Sequence, residues 1–291
     1  LVVMSVIGIW AVIPLAPGVH GTSLDVGVLY VVAIGAIGEL GILMAGYASN
    51  NKFALLGAFR AVAQLVSYEV PMVLVLLVPT ILAGSMDLET IVRQQTPVWY
   101  VVAAPLAALV FLICSIAENG RAPFDLLEAE SELVAGFNTE YSALAFGMFY
   151  VAEFLHALTA GAVVTTLFLG GWRGPGAEAY PILGFVYFMM KTMVIWFIGL
   201  WVRGTVPRIR IDQMLGFNWK LLTPLALGIL TLTAIADKLA LELGGSRLAA
   251  GLAANLLIAI VTLLALRAYA RLQRRREDMR RERVLGLAAS S

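Results

Sequence analysis

The chain has 291 residues, of which 60% are hydrophobic and 13% charged, and its net charge is +1. Soluble domains run nearer half apolar and a quarter charged, and no water-soluble core of this length could bury so much apolar surface, so the bilayer is the natural solvent. The single cysteine, Cys114, excludes an internal disulfide and an iron–sulfur or zinc framework. The two histidines, His20 and His156, are far apart in sequence, and a lone histidine on an apolar helix reads as a packing or hydrogen-bonding residue rather than a metal ligand. There is no glycine fingerprint after a strand and no Walker loop, so nothing suggests that the chain by itself binds a nucleotide or holds a redox centre.

The chain opens at Leu1 inside an apolar run, 1–13. That run is shorter than the roughly 20 residues a hydrocarbon core requires, and no basic segment precedes it as in a signal peptide. It reads as the end of a span whose beginning lies upstream. Uninterrupted apolar runs then predict spans at roughly 25–46, 62–83, 98–116, 143–169, 182–202, 221–236 and 248–269. Without water at that depth the backbone must satisfy itself, which leaves helices as the form of each run. The expected fold is all-α: a polytopic membrane helix bundle of about eight spans over 1–269, with an acidic loop at 117–142 and a basic tail at 270–291. In the second run Gly35, Gly38 and Gly41 fall on nearly one helix face, a spacing that lets helices approach closely.

Lys and Arg divide unequally among the connections. Lys52, Arg60, Arg121, Arg203, Arg208, Arg210, Lys220 and the tail from Arg267 to Arg283 fall on one side, against Arg93, Arg173, Lys238 and Arg247 on the other. The positive-inside rule therefore predicts that the loops near 47–61, 117–142 and 203–220, and the C-terminus, face the cytoplasm. The tail reads as a lipid-headgroup anchor. Nucleic-acid binding is not expected, because Glu277, Asp278 and Glu282 dilute its charge.

Charged groups within spans are costly and need a reason. Glu39, Glu69, Glu153 and Lys191 are of this kind. Lys191 has a stem long enough to reach an interface; the glutamates do not. Glu69 stands two residues before Pro71, which lacks a backbone donor and frees a carbonyl, so polar groups are expected to collect there. The loop after the fourth run is richer still. Pro123 can open a helix and Gly136 can close it, and on such a helix Asp125, Glu128 and Glu132 share one face while Glu130 points elsewhere. Phe124, Leu126, Leu127, Leu133, Val134 and Phe137 make the segment apolar enough to dock on the bundle. A solvated acidic face is the usual form of such a run; docking would instead partly bury the carboxylates and bring them close together, and both changes raise carboxyl pKa values and couple their titration, as a proton relay requires.

The stretch from Glu118 to Tyr141, with Asn119-Gly120-Arg121-Ala122-Pro123-Phe124-Asp125-Leu126 at its core, followed by Gly136-Phe137-Asn138-Thr139-Glu140-Tyr141, resembles the signature loop of the subunit 1 family of respiratory complex I, the proton-translocating NADH:quinone oxidoreductase. Gly46-Tyr47-Ala48-Ser49-Asn50-Asn51-Lys52 with Leu56-Gly57-Ala58, Arg60-Ala61, Ala63-Gln64 and Ser67-Tyr68-Glu69 agrees, as does Pro207-Arg208 with Arg210, Asp212-Gln213 and Trp219-Lys220. The resemblance implies a bacterial-type plasma-membrane subunit, placed where the redox arm meets the membrane arm. It would share in the quinone cavity and carry the carboxylates that begin the proton path. Matched residue by residue, that path is Glu69, Asp125, Glu128, Glu130, Glu132 and Glu153, to which the position of Glu39 in a span adds a seventh. Arg121, Glu118, Phe137 and Arg60 are expected at the quinone cavity and its loop, and Arg208, Arg210 and Asp212 as braces of the cytoplasmic face. Quinone would be the substrate, while NADH, FMN and iron–sulfur clusters would belong to partner subunits. Family members begin with a further span and loop, expected upstream of Leu1, and the run at 248–269 reads as a lineage-specific extension. The matching subunit of a membrane-bound hydrogenase is the near alternative. A free-standing transporter is disfavoured because the halves show no internal repeat.

Overall fold

A computed structural model describes residues 1–96, 98–120, 123–124 and 136–289, with side chains up to 268 and at 270–271. The elements are α1 (Val2–Trp10), α2 (Gly27–Ala48), α3 (Lys52–Ala83), α4 (Leu88–Gln94), α5 (Tyr100–Ala103), α6 (Pro105–Glu118), α7 (Ala143–Phe168), α8 (Pro181–Thr205), α9 (Ile211–Phe217), α10 (Thr223–Glu242) and α11 (Arg247–Ala289). A 3₁₀ turn, Gly136–Asn138, precedes α7, and a π-helical turn, Asn218–Leu222, joins α9 to α10. Among the described residues there is no strand beyond one isolated bridge between Ala16 and Val19. Among the described residues six helices are long and apolar enough to cross a membrane: α2, α3, α7, α8, the continuous 211–242 helix, and α11 as far as Ala268. The all-α membrane bundle is therefore the fold. The two remaining predicted runs are the short ones, α1 and the pair α5–α6.

Hydropathy measures the bilayer rather than the helix, and this accounts for the misplaced ends. The 62–83 run is the inner part of a 32-residue helix, roughly 48 Å long against about 30 Å of hydrocarbon. Its first turns hold Lys52 and Arg60 and extend past the apolar zone. Asn51 caps its start by accepting from the Phe53 N–H, and Gly84, at φ 71°, closes its end. At the far terminus α11 continues without a break through residue 269 to Ala289.

The fourth run is not one helix. It breaks at Ala104 (φ −138°, ψ 63°), because Pro105 disfavours helical geometry in the residue before it and supplies no N–H. The break leaves first-turn donors of α6 inside the membrane. Asn255, fully buried on α11, accepts from the Ala107 N–H at 3.3 Å and donates to Gly251 O and Thr233 Oγ1. Close by, Arg247 holds Asp237 with two bonds of 2.6 and 2.7 Å and donates to Ile81 O.

Pro71 in α3 leaves the Ser67 carbonyl without its helical donor. The Asn218 side chain, in the π-helical turn, supplies one at 2.5 Å and is itself fully buried. Asn218→Ala is expected to cost about 1–3 kcal/mol, the penalty of a buried polar group without a partner. The check is the thermal midpoint of the purified assembly, which should fall; an unchanged midpoint would mean that water replaces the amide.

At the end of the bundle formed by α4, the α7–α8 connection and the α10–α11 turn, Lys191 is committed to structure. Its ammonium donates to the Leu169, Gly171 and Arg173 carbonyls at 2.8–3.0 Å and lies 4.7 Å from the centre of the Trp99 ring. Gln95 serves the same helix end, donating to Thr166 O and Leu167 O and accepting from the Gly170 N–H. The opposite end gathers the 49–51 and 206–210 connections and the described residues of the third, 119–120, 123–124 and 136–142, and is hereafter the loop end.

Candidate functional site

Helix α3 lies at the centre, packed on α2, α6 and α10. Helix α1 touches both α2 and α7, and α6 also touches α7, so α1, α2, α3, α6 and α7 close into a ring. The glycine stripe of α2 makes that closure possible. A Cβ at Gly38 would lie 2.8 Å from Ser5 Oγ, and one at Gly41 2.7 Å from Val2 Cγ2, so these two positions seat α1. Gly35 differs: nothing stands within 4 Å of its missing Cβ, and it borders both cavities inside the ring.

The larger cavity, about 100 Å³, is bounded by Gly35, Gly38, Glu39, Glu118, Asn119, Phe137, Phe149, Tyr150, Glu153, His156 and Arg203, among others. The smaller, about 40 Å³, is bounded by Gly35, Glu69, Met72, Phe111, Ser115, Glu118, His156 and Thr159, among others. Gly35, Glu118 and His156 are common to the two. Four helices thus contribute one carboxylate each: Glu39 from α2, Glu69 from α3, Glu118 from α6 and Glu153 from α7. The two cavities follow one another from the loop end towards the middle of the bundle. Charge on any one carboxylate bordering such small spaces, walled largely by apolar side chains, acts on the next through a weakly screening medium.

The acidic loop begins and ends on α3. Gln64, fully buried, donates to Ala117 O at 2.7 Å and Phe124 O at 2.9 Å, and the Phe124 ring rests 5.4 Å from that of Tyr68. The Ile209 N–H donates to Pro123 O at 3.0 Å. On the return, Gly136 takes φ 59° and its backbone lies against Gly57, where a Cβ would meet Gly136 Cα at 2.9 Å. Phe137 then packs edge-on against Phe149, whose ring also meets Tyr141, and Tyr141 donates to Ala45 O. Asn51 donates to Glu140 at 2.8 Å.

The site residues expected from sequence divide accordingly. Glu39, Glu69, Glu118, Glu153 and Phe137 are brought together around the cavities. Arg121, Asp125, Glu128, Glu130 and Glu132, and with them the loop helix, lie outside the described residues. Arg60 is half-buried on α3, one turn before Gln64, and borders neither cavity. Arg208, Arg210 and Asp212 are exposed, and it is the backbone of Ile209 between them that ties this segment to the loop. Sequence reasoning missed His156, Asn119 and Gln64. His156 follows Glu153 by three residues, a helical spacing that puts both on one face and could have flagged it. Among the described residues no group of three or more metal-ligating side chains forms.

The family model described as NADH dehydrogenase matches residues 1–234, ending before α11. The chain is 47% identical over 225 residues to the H subunit of the NADH-quinone oxidoreductase of Dehalococcoides mccartyi, covering 77% of this chain and 62% of that one. It is also 47% identical to the protein of the same name from Geobacillus kaustophilus, covering 77% and 67%. The Paramagnetospirillum magneticum protein of that name is 46% identical over 226 residues, with 77% and 66% covered. The chain therefore spans 62% of the length of the Dehalococcoides relative.

Proposed function

Because the chain belongs to the NADH dehydrogenase family, we propose that it is the membrane subunit through which an NADH:quinone oxidoreductase couples quinone reduction to proton translocation. The observation that carries this reading is the ring of five helices whose four carboxylates, Glu39, Glu69, Glu118 and Glu153, border two cavities that meet at Glu118. Quinone is the substrate, and its head group approaches from the loop end, where Phe137, Phe149 and Tyr150 give the larger cavity an aromatic wall suited to a planar ring. NADH, FMN and iron–sulfur clusters belong to redox-arm partners. The chain itself carries protons rather than electrons. The loop end faces the cytoplasm, as does the C-terminus.

Coupling is electrostatic. A unit charge appearing about 10 Å from a carboxylate, at an effective dielectric of about 20, changes its energy by about 1.7 kcal/mol. That exceeds the roughly 1.4 kcal/mol that shifts a protonation equilibrium tenfold. Reduction of quinone at the loop end therefore redistributes protons among Glu39, Glu118 and Glu153, and through Glu118 reaches Glu69. Neighbouring membrane-arm subunits receive the change from there.

The test is affinity purification from native membranes, with identification of companions and an NADH:quinone assay. Co-purifying iron–sulfur and membrane-arm subunits, with turnover sensitive to a quinone-site inhibitor, is the expected result. Companions of the nickel–iron hydrogenase type without NADH activity would move the chain to that branch. A subunit recovered alone would overturn the reading.

A further inference from the structure

We infer that His156 is the proton-carrying side chain that joins the two cavities, taking protons at Nε2 while Asn119 holds its ring. The inference rests on the proposed coupling role and names a carrier within it.

The tautomer follows from hydrogen bonds. Asn119 donates through Nδ2 to Ser115 O at 2.8 Å. A flipped amide would set its oxygen against that carbonyl, acceptor facing acceptor, so Oδ1 is the atom turned to His156. It lies 2.9 Å from Nδ1. An amide oxygen only accepts, so Nδ1 carries the hydrogen, and in the neutral ring Nε2 then bears the lone pair. Nε2 lies 3.9 Å from Glu118 Oε1, and the imidazole borders both the cavity shared with Glu39, Glu153 and Arg203 and the one shared with Glu69. A neutral ring held in this way has one vacant proton site, and that site faces the one carboxylate common to both spaces.

The transfer is balanced as follows. Protonated Glu118 turns its carboxyl towards Nε2 and gives up its proton, becoming a carboxylate beside an imidazolium whose Nδ1–H still bonds to Asn119. The imidazolium then releases the Nε2 proton to Glu69 or Glu153, whichever is ionised, and returns to the starting tautomer. No proton is gained or lost by the chain, and among the described residues Arg203, Glu39, Glu69, Glu118 and Glu153 are the charged groups bordering the cavities that the ring faces. A residue there for packing alone would not need its second nitrogen.

His156→Asn tests this, because the Asn amide retains a donor where Nδ1 stood and removes the titratable nitrogen. In the purified complex reconstituted into vesicles, the variant should assemble and reduce ferricyanide from NADH at the wild-type rate. Quinone-coupled proton translocation should fall by at least about tenfold, below the usual range for acid–base groups because neighbouring carboxylates offer a bypass. The pH profile of coupled turnover should lose the limb set by the imidazole. If His156→Asn does not assemble, His156→Gln is read in the same way, and failure of both to assemble makes the residue structural and overturns the inference. Wild-type translocation and an unchanged pH profile in either variant overturn it too, leaving the coupling role intact. A wild-type complex without inhibitor-sensitive quinone turnover overturns both.

Discussion

Replacing Glu118 by glutamine is expected to lower quinone-coupled proton translocation by about a hundredfold, the lower end of the range for losing a positioned acid–base group. NADH oxidation by an artificial acceptor should stay at the wild-type rate. Glu118 is the only carboxylate among the described residues that borders both cavities, which puts it between Glu69 and the Glu39–Glu153 side. Glutamine has nearly the same shape and can hydrogen-bond, so packing at the end of α6 is preserved while the exchangeable proton is lost. Glu39→Gln makes the comparison informative: Glu39 borders one cavity only, and its loss should cost less than that of Glu118. Equal losses from the two variants, or coupled translocation unchanged in Glu118→Gln, would remove Glu118 from the centre of the path.

The second large effect is expected from a residue with no polar side chain at all. Gly57→Ala should destabilise the complex by roughly 1–3 kcal/mol, the usual range for overpacking, and should also impair coupled turnover. A Cβ at Gly57 would lie 2.9 Å from Gly136 Cα and carbonyl carbon and 3.0 Å from Phe137 N. These are backbone atoms, so relief cannot come from a rotamer change; the returning end of the acidic loop must move away from α3. Phe137 moves with it, and with Phe137 goes part of the larger cavity's wall. Gly228→Ala on α10 is the matched control, since nothing lies within 4 Å of a Cβ there. The measurement is the thermal midpoint of the assembly together with the coupled rate. If Gly57→Ala behaves like Gly228→Ala in both, the loop is not positioned by its contact with α3.

Glu118 and Gly57 show how unevenly sequence and structure share the information. Both stand in stretches that resemble the complex I subunit, so the sequence marked them. Glu118 reads from sequence as part of the loop by the quinone, and the structure sets it at the end of α6, bordering both cavities beside Glu39, Glu69 and Glu153. The reason is that α6 ends at Glu118, and its side chain turns into the space between α2, α3 and α7. Pro71 is a comparable case. That a carbonyl is set free near it follows from covalent chemistry, but its partner, Asn218, is 151 residues away from Ser67 and reaches it through a π-helical turn. Pro105 was equally visible, and an apolar run scored for hydropathy passed over the break it causes.

What the sequence determined by itself was the solvent, the helices and the family. Apolar runs of membrane length force intrahelical hydrogen bonding, and the acidic loop with its flanking motifs is long and ordered enough to carry a family likeness. It determined too that Glu39, Glu69 and Glu153 needed a reason to lie within spans, because a short charged stem cannot escape the hydrocarbon. Only the tertiary structure decided which of these groups meet. Helical spacing fixes a residue's face relative to its own helix, whereas neighbours are fixed by close packing: Gly38 and Gly41 admit α1, α1 bridges α2 to α7, and the ring closes around Glu118 and His156. Side chains separated by tens of residues then share one small space, and their chemistry becomes collective because the medium between them screens charge so weakly.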